Sequence, residues 1–252
     1  MMAKIRLYVD HPLGAGQTVP LQRDQAHYLF SVMRQSVGAP VALFNGVTGE
    51  WQAEVIEAGK RGGVLLCQTQ SKPLQMPPDL WLLFAPIKKA RTDFIVEKAA
   101  ELGVQQIMPV QTAFTNPDRI RRERLQAHAI EATEQCGGTF VPSLHPLQKL
   151  DLLLSDWPKE RHLMFCDEAL VGSLANLAPN IALGSGKALG SGKRTAGAIL
   201  IGPEGGFSDI ERDRLRAMPE AYAICLGPRI LRADTAAVAA ITLWQAQLGD
   251  WR

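Results

Sequence analysis

Two short loops contain the residues whose types and spacing best suit chemistry. The first loop, residues 202–207 (GPEGGF), follows an apolar run and precedes Ser208 and Glu211, which have the spacing of a helix-capping box. Glycines allow a loop backbone to approach a ligand closely, so that its N–H and C=O groups can bind it. A tight turn from a strand into a helix would use the same glycines, and the loop lacks the GxGxxG pattern of dinucleotide-binding proteins. On its own, this motif leaves a binding loop and a structural turn equally open.

The second loop, residues 225–232 (CLGPRILR), places Arg229 and Arg232 between an apolar strand and an alanine-rich helix. Exposed arginines are usually solvated surface charges. These two, however, stand where an open α/β sheet builds its ligand crevice, beside a helix whose small residues allow very close packing. Their setting therefore favours a ligand site.

The patterns around these loops predict two domains. Residues 1–72 contain short, often alternating apolar runs separated by turn residues, with one helical segment near 24–35, and this indicates a small β-rich domain. Residues 73–79 contain three prolines and are predicted to form a linker. Residues 80–252 alternate apolar strands with amphipathic helices, one of which is predicted to start at Asn116-Pro117, so they are expected to form a parallel α/β domain.

Composition and residue spacing exclude several classes of protein. Of the 252 residues, 46% are hydrophobic and 21% are charged, which is typical of a soluble globular chain. No apolar run approaches a membrane span, and the start does not resemble a secretion signal, so we expect a cytoplasmic protein. The four cysteines and five histidines show no CxxC, HxxxH or HExxH spacing, and we expect no bound metal.

Residues 182–193 are a tandem repeat of ALGSGK. The richness in Gly and Ser predicts a flexible surface loop. Neither copy has the glycine spacing or the following Ser/Thr of a phosphate-binding loop, so the repeat does not indicate a nucleotide site.

Together, IGPEGGF and LGPRILRADTA resemble the paired signature of the SPOUT RNA methyltransferases, and within that class the chain resembles the bacterial 16S rRNA uridine-N3 methyltransferase family. Two differences stand out: Ala233 and Asp234 lie where the family commonly has Thr and Glu, and Gly138 lies where it usually has Arg. Further similar motifs occur in the family's order, and they extend the resemblance over most of the chain, at residues 6–10, 27–34, 43–46, 89–104 and 134–137.

The resemblance implies a C-terminal α/β domain with a SPOUT-type trefoil-knotted parallel sheet, and an N-terminal PUA-like β-barrel that binds RNA. Ordinary topology rules alone would have predicted an unknotted, doubly wound sheet. It also implies a homodimer with the active site at its interface, and S-adenosyl-L-methionine as cofactor. The residues expected around the cofactor are Leu200, Gly202, Pro203, Glu204, Gly205, Leu226, Gly227, Ile230, Leu231 and Thr235.

The implied reaction transfers a methyl group to N3 of a uridine in 16S rRNA, within the small ribosomal subunit. It requires alignment of the methyl sulfonium with N3, loss of the N3 proton, and stabilisation of the negative charge that spreads onto O2 and O4. Arg232 is expected to stabilise that charge, because a guanidinium offers fixed donors to an oxyanion. Asp234 and Glu204 are candidates for the base, although an acidic residue at a helix start is as often a cap.

Basic residues give candidate RNA contacts, since phosphate contacts provide affinity and position. A solvated helix face is the alternative for the cluster at Lys88, Lys89 and Arg91, and a core position is the alternative for His27. A second basic cluster, residues 119–124, is by itself interpreted as a solvated face, but beside the RNA methyltransferase signature it also becomes a candidate for phosphate contacts. The predicted RNA-binding residues are His27, Arg34, Lys88, Lys89, Arg91 and Arg229.

Three other functions stay open at this point. A SPOUT enzyme acting on tRNA would share the loop motifs, and a non-catalytic RNA-binding module for ribosome assembly would bind RNA without the cofactor. An α/β enzyme acting on a small metabolite would bind nucleotides instead, but the chain lacks a proper phosphate loop.

Overall fold

The computed structural model describes residues 5–170 and 196–251; the repeat at 182–193 lies outside them. The chain divides into two compact units. The first contains the residues up to Met76 together with Thr133–Val141, and the second contains Pro77–Ala132 and the residues from Pro142 onward. Among the described residues, no helix is long and apolar enough to cross a membrane.

The first unit is built on a five-stranded sheet with strand order β1-β3-β4-β5-β2. Strands β1 and β3 are parallel, and the other pairs are antiparallel. Alternate apolar side chains pack into one core, which includes Leu29, Leu43 and Leu65. A short helix leads directly into a π-helical turn, His27–Val32, within the segment predicted to be helical. The regular elements are β1 (Arg6–Tyr8), β2 (Thr18–Pro20), α1 (Arg23–Ala26), β3 (Pro40–Phe44), β4 (Glu50–Ala58) and β5 (Gly63–Lys72).

The second unit is a parallel sheet with helices on both faces. The strand order is β12-β10-β11-β6-β7-β8, and β9 also pairs with β7. All of these pairs are parallel, which confirms the architecture predicted from the alternation of strands and helices. Its elements are β6 (Leu80–Phe84), α2 (Lys89–Glu101), β7 (Gln106–Gln111), α3 (Arg122–Cys136), β8 (Ser143–Leu144), β9 (Gln148–Lys149), α4 (Leu150–Ser155), β10 (His162–Cys166), β11 (Gly197–Ile201), α5 (Asp209–Ala217), β12 (Ala221–Ile224) and α6 (Ala233–Gln247).

One predicted boundary is wrong. The helix expected to start at Asn116-Pro117 begins only at Arg122. Thr112 and Thr115 are held in a local turn just before this position, by hydrogen bonds through the Thr115 hydroxyl. A proline is compatible with a helix start but does not require one.

Side chains of the central strands alternate between two cores. Leu82 and Ile199 pack on one face of the sheet with α2 and α6, and Leu83 and Leu200 pack on the other face. Because both faces of a parallel sheet are covered, its central strands are apolar throughout, as β11 is here.

Helix α6 lies very close to the sheet, as its small residues predict. Ala233, Ala237 and Ala240 are buried along this helix. At Gly197, the first residue of β11, a Cβ atom would lie 2.7 Å from Nε1 of the buried Trp244. The glycine therefore permits the contact between the strand and the indole.

Arg6 fastens the end of α3 within the first unit. Its guanidinium donates hydrogen bonds to the carbonyl oxygens of Thr133 (2.7 Å), Glu134 (2.7 Å) and Gly138 (2.6 Å). The last carbonyls of a helix have no partner within the helix, so a nearby arginine satisfies them. Its Nε donates to the buried carboxylate of Glu50 at 2.7 Å.

We expect Gly197→Ala to lower the free energy of unfolding by about 2 kcal/mol, because the added methyl group forces the strand and Trp244 apart. Urea unfolding followed by circular dichroism measures the change. Gly14→Ala is the matched control, since a Cβ atom there has no neighbour within 4 Å. Equal stability of Gly197→Ala and the natural chain would contradict the packing described.

Stability in acid should depend on Glu50. Burial alone raises the pKa of this carboxyl, but hydrogen bonds from Arg6 and Ser71 outweigh burial and hold the pKa below its usual value of 4.5. A carboxyl whose pKa is lower in the folded state stabilises the fold above its unfolded pKa, and this stabilisation is lost as the pH falls through the folded value.

The natural chain is therefore expected to lose stability steeply below about pH 4.5. Glu50→Gln should cost about 2 kcal/mol at neutral pH, because Arg6 loses its charged acceptor, and the difference between the two proteins should shrink in acid. Unfolding midpoints across the pH range test this. A difference that is constant with pH would show that the Glu50 charge is not responsible.

Candidate active site

A cavity lies at the carboxyl ends of β10, β11 and β12 in the second unit. Open parallel sheets bind ligands at this end of their strands. Three segments line it: the end of β10 with the residues after it, the first loop, and the second loop with the start of α6. The lining residues are Cys166, Asp167, Glu168, Ile201, Gly202, Pro203, Glu204, Gly206, Ile224, Leu226, Arg229, Ile230, Leu231, Arg232, Ala233 and Ala236.

The first loop is fixed by a turn and by the helix that follows it. The Gly206 amide donates to the Pro203 carbonyl oxygen at 2.9 Å, and Gly206 has a φ of +68°, which favours glycine. The predicted capping box is confirmed: Ser208 Oγ accepts from the Glu211 amide, and the Glu211 carboxylate accepts from the Ser208 amide at 2.8 Å. The loop is thus a tight turn that also lines a cavity. The structural interpretation of its glycines is confirmed, and their role in ligand binding stays a prediction.

The second loop brings two arginines, Arg229 and Arg232, to the cavity. Gly227 bends this loop with a φ of +122°, and Arg232 is the residue that precedes the first turn of α6. Within the described part of the chain, the guanidinium groups of Arg229 and Arg232 have no hydrogen bond or ion pair. These two positive charges are therefore available to a ligand.

Arg91 joins the two candidate bases. Its guanidinium NH1 lies 2.6 Å from Glu204 Oε1, and its Nε lies 3.7 Å from Asp234 Oδ2. Asp234 also accepts a hydrogen bond from the Thr235 amide at 3.0 Å. Both carboxylates therefore have a positive charge beside them, and Glu204 is the one that lines the cavity.

At the end of β10, a buried carboxylate ties this strand to α5. Asp167 follows β10, and its fully buried side chain accepts hydrogen bonds from Arg212 Nε (3.1 Å) and Arg216 (3.0 Å). The same Arg212 donates to Glu168 Oε1 at 2.8 Å. Burial alone would lower the pKa of Arg212, but Asp167 and Glu168 raise it above its ordinary value. These four side chains, two carboxylates and two guanidinium groups, form a network that we call the β10–α5 network; Asp209, whose side chain is exposed, also contacts Arg212.

Comparison with known proteins identifies the family. An RNA methyltransferase domain matches residues 74–245, and an RNA methyltransferase PUA domain matches residues 21–65. The chain is 30% identical to ribosomal RNA small subunit methyltransferase E of Rickettsia conorii, over 94% of this chain and 93% of the relative. The chain belongs to the ribosomal RNA small subunit methyltransferase E family. The Bacillus subtilis member is 25% identical over 89% of this chain and 88% of its own length.

Solved structures of similar proteins agree with this family. The methyltransferase E of Neisseria gonorrhoeae, solved bound to S-adenosyl methionine, has a TM-score of 0.83 at 26% identity and covers 98% of this chain and 99% of its own. A Legionella pneumophila protein, solved with bound SAM, has a TM-score of 0.82 at 27% identity, over 99% and 100% of the two chains. The predicted fold class, a PUA-type N-terminal sheet and a SPOUT-like parallel α/β sheet, is confirmed. The trefoil knot stays a prediction.

The cavity includes some of the residues that the family resemblance assigned to the cofactor. Leu200 does not line it, because the side chain packs into the core on the opposite face of the sheet from Ile201. Gly205, Gly227 and the exposed Thr235 are also absent from its lining. Those that do line it are Gly202, Pro203, Glu204, Leu226, Ile230 and Leu231.

Some of the predicted catalytic and RNA-binding residues line the cavity, and others do not. Arg232 and Arg229 line the cavity, whereas Asp234 does not line it and instead contacts Arg91 and the Thr235 amide. His27 is exposed, so its alternative as a core residue is wrong. Arg34, Lys88 and Lys89 are also exposed, and Arg34 has a left-handed φ of +52°.

Parts of the second basic cluster have structural partners. Arg124 forms a two-pronged ion pair with Asp93, whose hydrogen bond raises the pKa of this arginine. Arg122 donates from Nε to the Leu144 carbonyl oxygen at 2.8 Å. These contacts leave fewer charges free for RNA than the sequence suggests.

Sequence reasoning missed Cys166, Asp167 and Glu168. The available signal was their position: CDE ends a predicted parallel strand, which is where a ligand crevice forms. Burial raises the pKa of the Cys166 thiol far above its ordinary value, which disfavours a nucleophilic thiolate at this position.

Proposed function

We propose that this chain is a cytoplasmic, S-adenosyl-L-methionine-dependent methyltransferase that acts on N3 of a uridine in 16S rRNA of the small ribosomal subunit. One observation carries the proposal: both family loops line one cavity, and its wall contains two guanidinium groups that have no partner among the described residues. Residues 1–72 are proposed to bind RNA as a PUA-like domain. Residues 73–79 are proposed to link this domain to residues 80–252, which hold the cofactor and the reacting base.

The cavity fits the cofactor chemically. Its apolar wall, which includes Ile201, Ile224 and Leu226, suits an adenine ring. Gly202 and Gly206 contribute only backbone to the lining, and the Glu168 carboxylate fills the space that a side chain at Gly206 would occupy. When bound, the cofactor supplies an electrophilic methyl group. The cavity residues hold the cofactor and, with Arg232, set where a uracil ring must lie to receive that group.

Arg232 is proposed to stabilise the uracil during the reaction. As N3 loses its proton, negative charge spreads onto O2 and O4. A guanidinium with no protein partner presents its full set of planar donors to these oxygens. In the described residues, Arg232 meets this condition and lines the cavity.

Asp234 is the catalytic carboxylate proposed from the sequence, and Glu204 is the second candidate. Arg91 lies beside both carboxylates, 2.6 Å from Glu204 Oε1 and 3.7 Å from Asp234 Oδ2. Arg91 was also proposed as an RNA contact; its two carboxylate neighbours reduce the charge available for that role.

RNA binding is proposed to use His27, Arg34, Lys88, Lys89 and Arg229. All five are exposed, as phosphate contacts require. Their use would make binding weaken with added salt.

The enzyme is proposed to act as a homodimer. Ile230 supports this proposal, because it lines the cavity and is nonetheless 74% exposed. A large apolar side chain in this position gains stability when a second subunit covers it.

The first test is transfer of a tritiated methyl group from S-adenosyl-L-methionine to small ribosomal subunits that lack their own modification, followed by nucleoside mass spectrometry. We expect 3-methyluridine in 16S rRNA. Transfer to tRNA in place of the subunit would favour the tRNA alternative, and binding of RNA without cofactor binding or transfer would favour the assembly module.

Arg232→Ala should lower kcat by about 100-fold to 1,000-fold, because it removes a donor to the developing negative charge. The thermal unfolding midpoint and the affinity for S-adenosylhomocysteine should change little. Arg229→Ala is the matched control from the same loop: loss of a phosphate contact should raise KM for the subunit more than it lowers kcat. Unchanged turnover in Arg232→Ala would rule out the proposed role.

A further inference from the structure

Glu168 lines the cavity, and its carboxylate has no part in the function proposed above. It follows β10 by two residues, and its side chain is 34% exposed. Arg212 binds Oε1, whereas Oε2 accepts no hydrogen bond from the described residues. One oxygen of this carboxylate is therefore available in the cavity.

The position of this carboxylate is fixed by its surroundings. It lies against the backbone of Gly206, where a Cβ atom would overlap the carboxylate itself. On its other side, Arg212 is held by the buried Asp167. The first loop thus has a glycine at the place where a side chain would displace Glu168.

Charge balance indicates which ligand group suits Glu168. In the β10–α5 network, the two carboxylates of Asp167 and Glu168 face the two guanidinium groups of Arg212 and Arg216. A carboxylate whose charge is already compensated attracts a further cation weakly. It still has lone pairs that accept hydrogen bonds from neutral hydroxyl groups.

We propose that Glu168 accepts hydrogen bonds from the ribose hydroxyls of the nucleoside bound in this cavity, and so selects a ribonucleoside over a deoxyribonucleoside. The inference rests on the proposed function, which places the adenosine of the cofactor here. An acidic residue at the carboxyl end of a parallel strand performs the same task in dinucleotide-binding sheets, by accepting from the ribose 2′-hydroxyl. Here the loop glycine and Arg212 hold the acceptor in place before the ligand arrives.

Calorimetric titration with two ligands tests this proposal. The ligands are S-adenosylhomocysteine and its 2′-deoxy analogue, and the proteins are the natural chain, Glu168→Ala and Asp209→Asn. Asp209 is the matched control, because it is another carboxylate partner of Arg212 but has a side chain that is 97% exposed and does not line the cavity.

The natural chain and Asp209→Asn should each bind the ribonucleoside about tenfold more tightly than the deoxy analogue, which is typical of a hydrogen bond to a charged group. Glu168→Ala should bind S-adenosylhomocysteine about tenfold more weakly and discriminate less than about twofold between the two ligands. Glu168→Gln, which keeps one neutral acceptor and the shape of the side chain, should give intermediate discrimination and provides the test if the alanine variant does not fold.

Two results would overturn the inference. Full discrimination in Glu168→Ala would show that other groups bind the hydroxyls, and an equal loss of affinity for both ligands would show that Glu168 only supports the loop. If the natural chain binds neither ligand, the proposed function itself fails, and this outcome is distinct from a loss of discrimination.

Discussion

The buried carboxylate of Asp167 constrains one wall of the cavity. Asp167 is fully buried, and removal of a carboxylate from water costs several kcal/mol unless ion pairs and hydrogen bonds compensate for it. Arg212 and Arg216 provide that compensation only while α5 stays beside the end of β10. Since the capping box begins α5 directly after the first loop, the same ion pairs hold the loop in place. The backbone geometry of the first loop therefore depends on the ion pairs that compensate for one buried charge.

The part of the cavity formed by the second loop and the start of α6 depends on close packing. Small residues let α6 approach the sheet, and Gly197 accommodates the indole of Trp244. This approach sets where α6 begins and hence where Arg232 lies. Arginines thus have two distinct uses in this unit: Arg212 is neutralised by carboxylates and holds structure, whereas Arg232 has no partner among the described residues and is left for the ligand.

Local sequence patterns predicted many of the strands and helices of this structure. They could not predict the contacts between residues that are far apart in the sequence. Apolar alternation identified the strands, and the spacing of Ser208 and Glu211 identified a cap, because both signals lie within a few residues. The β10–α5 network joins residues 45 apart, and Arg6 binds carbonyls more than 120 residues away, so neither leaves a pattern in the sequence. The placement of Leu200 is different: the period of two in a strand already puts it on the face opposite Ile201.

The strand order has a consequence for synthesis on the ribosome. β6 lies between β7 and β11, and β11 begins only at Gly197. During translation, β6 therefore emerges long before one of its two neighbours exists, and an apolar strand keeps an unpaired edge during that time. All strands of the first sheet, in contrast, lie before Pro73 and can pair early. In the nascent chain, the first sheet can thus form early, whereas the second sheet cannot be completed until its last strands are made. The need for chaperones is greatest in that interval.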